Sequence, residues 1–187
     1  YDELFAEKLE LLLALRQSTE LSWSGRFRAP IEGRGIYPRP LQDPLPVWVA
    51  VGGSPQSALR TGRLGLPMAL AIIGGEPARF APFAELHRAA AAEAGNPPPA
   101  LSVNSPGFVA EDSRRAADVA FPAFATMMDR IGRERGWPPM TRESFEASRG
   151  PRGANFVGNP EEVAEKIVAQ HAIFGHRRFL IQFSVGT

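Results

Sequence analysis

Short apolar runs alternate with helical segments along this chain, and their order limits the folds open to it. Residues 47–51 and 68–73 are uninterrupted apolar runs, and each is followed by a pair of glycines. A short apolar run that ends at glycine is typical of a strand buried on both faces, as in parallel sheets. A weaker strand is predicted at residues 101–104, and an aromatic and aliphatic run predicts a final strand at 179–185.

Helical patterns alternate with these predicted strands, and they cover residues 1–17, 55–64, 78–94, 112–135 and 160–174. The order α, βα, βα, βα, β predicts an α/β fold in which parallel strands are joined by right-handed crossovers. No Gly-x-Gly-x-x-Gly motif follows a predicted strand, so a Rossmann fold is disfavoured.

Two long segments carry no regular pattern in the sequence. Residues 18–46 are rich in glycine and proline, which predicts a loop without a helix. Residues 136–153 are polar and irregular, which predicts a mobile excursion because long unstructured loops are usually functional or disordered.

Composition excludes several classes of function. The chain has 21 basic and 20 acidic residues and no basic run, so no nucleic-acid partner is predicted. No apolar stretch reaches the ~18 residues of a membrane span, so no membrane association is predicted. The absence of cysteine excludes disulfides and thiol catalysis and suits a cytoplasmic protein. The three histidines have no ligand spacing, so no metal site is predicted.

The candidate for chemistry is the loop between the first predicted strand and its helix. Gly52 and Gly53 allow a ligand to approach the backbone, while Ser54 and Ser57 place two hydroxyls in the first helical turn. Free N–H groups at a helix start favour an anion, so this loop is a candidate phosphate cradle. The alternative is an ordinary tight turn with a capping serine, and spacing alone favours that alternative.

A longer comparison adds a family resemblance. Residues 44–55, with the sequence PLPVWVAVGGSP, resemble a segment of the bacterial luciferase-like monooxygenase family. The resemblance continues through residues 58–60, 65–67 and 71–75. It also includes residues 23–26 and 37–42 upstream, and 134–137 and 157–163 downstream. These segments cover nearly the whole chain in the family's order.

The resemblance implies the C-terminal half of a (β/α)8 TIM barrel and a flavin-dependent oxidoreductase or monooxygenase acting on a small organic substrate. It assigns the flavin phosphate to the loop and the isoalloxazine ring to the end of the next strand. The implied cofactor-binding residues are Gly52, Gly53, Ser54, Ser57, Ile72 and Ile73. Bacterial luciferase itself has an acidic residue where Gly53 stands, so the match there is to other members.

The implied cofactor is FMN, with a deazaflavin as the alternative and NAD(P)H or reduced flavin as the electron source. The family implies a homo-oligomer, for example a dimer. Catalytic side chains are not identified by the sequence. Two other functions stay open: a catalytically silent flavin-binding protein, and an unrelated barrel enzyme that binds a phosphorylated substrate.

The chain is predicted to be a single domain over residues 1–187 and a fragment of a longer barrel, because four strands are half of the eight that close one. We therefore expect another part of the longer protein, a partner copy, or both to cover its open sheet edges.

Several further residues have two interpretations. Asn104 and Ser105 end a predicted strand and are either cofactor or substrate contacts or turn residues. Arg60 either adds charge to the cradle or is a solvated surface residue. Trp23 and Trp137 are either pocket-lining residues or packing residues, and packing is favoured. No catalytic role is predicted for the histidines, which are expected on helix surfaces or at a helix end: His87, His171 and His176.

Overall fold

A computed structural model describes residues 1–183 of the chain. The chain divides into two compact units, Tyr1–Val47 and Trp48–Thr187. The predicted final strand extended to residue 185, so its last two positions lie outside the described residues.

The first unit consists of one helix and one hairpin. Helix α1 spans Asp2–Gln17, and strands β1 (Glu20–Trp23) and β2 (Ile31–Gly35) pair antiparallel. The Arg39 guanidinium donates to three carbonyl oxygens at the end of α1 and just beyond it, and so supplies partners that the last helical turn lacks. The prediction of an unbroken loop at 18–46 is therefore wrong, because extended backbone on both sides of the loop tip forms a hairpin.

The second unit is built on a sheet of five parallel strands. Its strands are β3 (Val49–Val51), β4 (Met68–Ala71), β5 (Leu101–Val109), β6 (Phe156–Gly158) and β7 (Arg178–Gln182). β3 pairs with β4, β4 with β5, and β5 with both β6 and β7, all in parallel. The predicted parallel α/β arrangement is confirmed, and the final strand β7 pairs with β5.

Helices connect these strands, and all but α5 were predicted from the sequence. They are α2 (Pro55–Arg63), α3 (Ala81–Glu93), α4 (Ser113–Arg135), α5 (Arg142–Arg149) and α6 (Pro160–Phe174), and a 3₁₀ turn at Pro77–Phe80 precedes α3. The start of α6 follows the sequence signal, because the Asn159 side chain accepts from the backbone N–H of Glu162 at 2.8 Å. Gly175 ends this helix in the left-handed conformation, at a φ of 60°.

The sequence predicted that residues 136–153 are irregular. This prediction is wrong in part, because α5 lies within the segment. Thr141 caps α5 by accepting from the N–H of Ser144 at 3.1 Å. Phe145 is fully buried and packs its ring against Phe121 and Phe124, with centroids 5.4 and 5.5 Å apart. One buried aromatic in an otherwise polar helix was too weak a signal to predict this element.

The strands of the second unit have a buried face and an open face. Met68, Leu70 and Ile72 are fully buried, while Ala69 and Ala71 between them are half-buried. Because side chains alternate along a strand, paired residues on neighbouring strands share a face. The register thus defines the open face, which contains Ala50, Ala69, Ala71, Asn104 and Leu180.

The cradle helix α2 packs closely against α3. A Cβ built on Gly62 would lie 2.3 Å from the carbonyl oxygen of His87, so only glycine permits this approach. The His87 ring lies fully buried and its Nε2 is 2.9 Å from the Leu66 carbonyl oxygen, just beyond α2. These contacts fix the helix whose first turn forms the candidate site.

Candidate functional site

The candidate site begins where β3 ends. Parallel strands bring the loops after β3 and β4 to the same edge of the sheet, which is where open α/β sheets and barrels bind ligands. Gly52 is exposed, and a Cβ built on it would have no neighbour within 4 Å. Gly53 has a φ of 116°, a conformation that suits glycine. The loop therefore leaves open space at the start of α2.

Ser54 is the N-cap of α2, as predicted. Its Oγ accepts from the N–H of Ser57 at 3.3 Å and lies 3.3 Å from Gln56 Oε1, to which it can donate. Pro55 occupies the first helical position and has no N–H to offer. The Gln56 N–H, at the second position, lacks an intrahelical acceptor and can meet an anion.

Arg60 lies next to the serines of the cradle. The sequence had left its role undecided between a cradle residue and a surface residue. Its Nη2 donates to Ser57 Oγ at 3.3 Å, and its side chain is half-buried. This contact favours the interpretation in which Arg60 adds charge to the cradle. The i, i+3 spacing from Ser57 is the sequence signal that could have found this contact, because residues three apart share a helix face.

The structure separates the two isoleucines that the resemblance assigned to the flavin ring. Ile72 is 0% exposed and lies on the buried face, and its N–H donates to the Asn104 carbonyl oxygen at 2.8 Å. Ile73, the next residue, is 61% exposed and follows the alternation onto the open face. Only Ile73 is therefore positioned to touch a ligand on the open face.

Asn104 and Ser105 are separated in the same way. Both lie within β5 and not at its end, because the strand continues to Val109. Asn104 is half-buried on the open face, in register with Leu180. Ser105 is fully buried on the opposite face, and its Oγ has no hydrogen-bond partner among the described residues. The turn interpretation is wrong for both.

An open cavity of about 760 Å³ lies beside the loop that follows β4. One wall is formed by residues 75–79 and the other by residues 147–153. Its charged lining residues are Glu76, Arg79 and Arg152. An ion pair spans it, with Arg152 Nη2 lying 3.8 Å from Glu76 Oε1.

A buried lysine donates hydrogen bonds to the backbone at and just beyond the second wall of this cavity. Lys166 is 8% exposed, and its Nζ donates to the carbonyl oxygens of Asn155 at 2.7 Å and Arg149 at 3.3 Å. The ammonium also lies 4.8 Å from the centre of the Phe156 ring. Burial, and to a lesser degree the charge of Arg149, lower the pKa of Lys166 to about 8.

The histidine expectations are corrected in part. His87 and His176 are buried, whereas His171 is exposed. Burial lowers the pKa of His87 despite its bond to the Leu66 carbonyl oxygen. Burial, and then the nearby His171, lower the pKa of His176. Burial thus favours the neutral form of both rings.

Within residues 1–183, no group of three or more histidine, aspartate or glutamate side chains is placed to hold a metal ion. No helix in this described part of the chain is long and apolar enough to cross a bilayer.

Comparisons with known proteins place these features in a family. The profile of the luciferase-like monooxygenases matches residues 1–177. No match was found among curated protein sequences.

Solved structures share the fold. The monooxygenase RslO1 from Streptomyces bottropensis superposes with a TM-score of 0.75 at 23% identity, over 97% of this chain and 54% of its own. The oxygenating constituent of 3,6-diketocamphane monooxygenase from Pseudomonas putida, solved with FMN, gives 0.64 at 18% identity, over 97% of this chain and 56% of its own. The coenzyme F420-dependent tetrahydromethanopterin reductase from Methanopyrus kandleri gives 0.68 at 14%, over 95% of this chain and 56% of its own.

The chain therefore spans about half the length of the structures that it matches. This coverage and the parallel sheet with flanking helices confirm the predicted half of a luciferase-like barrel. Because the profile covers most of the sequence, the chain belongs to the luciferase-like monooxygenase family.

Proposed function

We propose that this chain supplies the cofactor-phosphate side of a flavin-dependent oxidoreductase, a monooxygenase acting on a small organic substrate. The observation that carries the proposal is the group of donors at the start of α2. Ser54, Ser57 and the Gln56 N–H converge there beside an open glycine, and Arg60 adds a positive charge. This donor set fits a phosphate monoester, which needs several N–H or O–H donors and favours a helix N-terminus.

Each member of the cradle has a distinct role in the proposal. The hydroxyl of Ser54 turns from Gln56 Oε1 to a phosphate oxygen, while its lone pair continues to cap the helix. Ser57 Oγ, which accepts from Arg60, directs its own proton to the phosphate. The open space at Gly52 lets the phosphate reach these groups, and a side chain there would narrow the entry.

The open face of the sheet provides the place for the ring system. Ile73 offers an exposed apolar surface at the end of β4, and Ile72 supports the same backbone from the buried face. Bound flavin would supply the redox chemistry, and the protein would orient it and exclude water. We propose FMN, with a deazaflavin as the alternative, since one structural neighbour was solved with FMN and another depends on coenzyme F420. NAD(P)H or reduced flavin would supply the electrons.

Assembly and location are also parts of the proposal. We propose a homo-oligomer, for example a dimer, on the ground of family membership alone. A cytoplasmic location stays the prediction made from the cysteine-free sequence.

The test is a charge substitution that preserves the helix cap. Ser54→Asp keeps a good N-cap residue but places a carboxylate where the phosphate should bind. Thr141→Asp makes the same kind of change at the N-cap of α5 and serves as the control. Titration of FMN into the full-length protein should show binding weakened about a hundredfold by Ser54→Asp, because juxtaposed like charges cost several kcal/mol.

The outcomes separate the three functions that the sequence left open. Equal FMN affinity in both variants would exclude the cradle. Absence of FMN binding, with retained affinity for a sugar phosphate that Ser54→Asp abolishes, would favour a barrel enzyme with a phosphorylated substrate. FMN binding without oxygen uptake in the presence of NAD(P)H or reduced flavin would indicate a silent flavin-binding protein.

A further inference from the structure

We infer that the cavity between residues 75–79 and 147–153 binds the acidic group of the substrate, so that the substrate is an organic acid carrying a carboxylate or sulfonate. This inference rests on the proposed function, because it names the substrate class of the same site. The cavity has a volume of about 760 Å³, which is within the range of small-molecule pockets.

The charges of the cavity favour an anion. Arg79 and Arg152 both line it, against the single carboxylate of Glu76, so the lining carries one net positive charge. Glu76 and Arg152 lie 3.8 Å apart, farther than a hydrogen bond allows. Within residues 1–183, no carboxylate pairs with Arg79. Arg79 therefore has its donors available for a ligand. Its planar guanidinium matches the two oxygens of a carboxylate.

The wall that carries Arg152 is held by its own hydrogen bonds. The N–H of Gly153 donates to the Gly150 carbonyl oxygen at 3.0 Å, and the N–H of Asn155 donates to the Ser148 carbonyl oxygen at 2.9 Å. The Asn155 side chain donates to Ser148 Oγ at 2.7 Å, and a Cβ built on Gly153 would lie 1.9 Å from the Ser148 carbonyl oxygen. This wall is thus formed before any ligand arrives, which lowers the entropic cost of binding.

The cavity is lined by the same loop that carries the position proposed for the flavin ring. Gly75 lines the cavity and is only two residues beyond Ile73 on the same loop. Gly75 has a φ of 77°, and a Cβ built on it would meet nothing within 4 Å. An acid held by the two arginines therefore has its carbon skeleton beside the apolar end of β4, within reach of the open face.

The experiment compares an acid with its neutral isostere. Octanoate and octanamide are titrated by calorimetry into the full-length protein without flavin. We expect octanoate to bind more tightly than octanamide, and more weakly as ionic strength rises. Arg79→Gln and Arg152→Gln should each weaken octanoate by up to about fivefold, because ion pairs of exposed side chains are worth at most about 1 kcal/mol, and leave octanamide unchanged.

Two further variants make the test specific. Glu76→Gln removes the competing carboxylate and should strengthen octanoate binding, the opposite sign from the arginine variants. Arg133→Gln removes an exposed positive charge on α4 and is the matched control. Equal affinities for octanoate and octanamide, or equal effects of Arg79→Gln and Arg133→Gln, would overturn the inference.

Flavin then separates this inference from the proposed function. Arg79→Gln should leave FMN affinity unchanged, whereas Ser54→Asp should lower it and leave octanoate binding intact. If saturating FMN blocks octanoate, the cavity takes part of the cofactor, and the assignment to substrate is wrong. If Ser54→Asp leaves FMN affinity unchanged while the arginine variants lose octanoate, the phosphate cradle fails and the acid site stands.

Discussion

Ile72 and Ile73 are neighbours in the chain, yet one is fully buried and the other is 61% exposed. The alternation of side chains at the end of β4 sends them to opposite faces of the sheet. A change at one position should therefore act on stability and a change at the other on ligand binding.

We expect Ile72→Ala to lower the free energy of unfolding by about 2–5 kcal/mol, because it removes a fully buried side chain and leaves a cavity. Ile73→Ala should change stability by less than about 1 kcal/mol and weaken FMN binding. Urea unfolding and FMN titration of both variants check this. The interpretation fails if Ile72→Ala weakens FMN binding at unchanged stability while Ile73→Ala destabilises the fold.

The sequence predicted much of this fold because local signals agreed with the final structure. Neighbouring residues alone were enough to predict the apolar strands β3 and β4 and the cap of α6 at Asn159. β6 and α5 were missed because their signals are long-range. β6 has three residues that pair with the distal half of β5, and α5 is held by Phe145 against a distant helix.

The candidate site was predicted in outline and not in detail. The loop Gly52–Ser57 follows from strand and cap signals, and its N-cap is confirmed by the Ser54 side chain. Which isoleucine faces the open side depends on the position where strand alternation starts. The arginines of the cavity are 73 positions apart, at 79 and 152, and only the fold brings them together.

The contact between Arg60 and Ser57 gives a second prediction. Arg60→Gln should weaken FMN binding about tenfold to a hundredfold, because a charge-assisted hydrogen bond to the phosphate group is worth about 1.5–3 kcal/mol. Arg60→Lys should restore part of the affinity, since a lysine keeps the charge but loses the planar fork. The readout is FMN affinity at low and high salt. Equal affinity of wild type and Arg60→Gln would show that the guanidinium only braces Ser57.

The close approach of α2 and α3 gives a third prediction. Gly62→Ala should destabilise the protein by about 1–3 kcal/mol, because the new methyl group would overlap the His87 carbonyl oxygen. Gly132→Ala is the matched control, since Gly132 is also buried in a helix but its Cβ would meet Trp137 at 3.4 Å, an ordinary contact. The changes in melting temperature caused by the two substitutions should differ in sign or size. Equal melting temperatures would contradict the close packing of α2 on α3.

The buried ammonium of Lys166 gives the last prediction, a pH dependence of stability. Burial lowers the pKa of Lys166 from 10.5 to about 8 in the folded chain. Between pH 8 and 10.5 the unfolded chain therefore holds a proton on this group that the folded chain has released, so stability should rise with pH across this window. Below pH 8 both states are protonated, and the desolvation cost of the charged form is fully present.

The groups that face Lys166 set the control for this effect. Glu146 and Arg149 lie on α5, Glu162 and Glu165 lie on α6 itself, and all four line one pocket with Lys166. Lys166→Met removes the titrating group and keeps the length of the side chain, so the rise in stability between pH 8 and 10.5 should disappear. Glu165→Gln changes a nearby charge and should leave most of the rise in place. Urea unfolding across pH 7 to 11 measures both, and an unchanged slope in Lys166→Met would assign the pH dependence to another group.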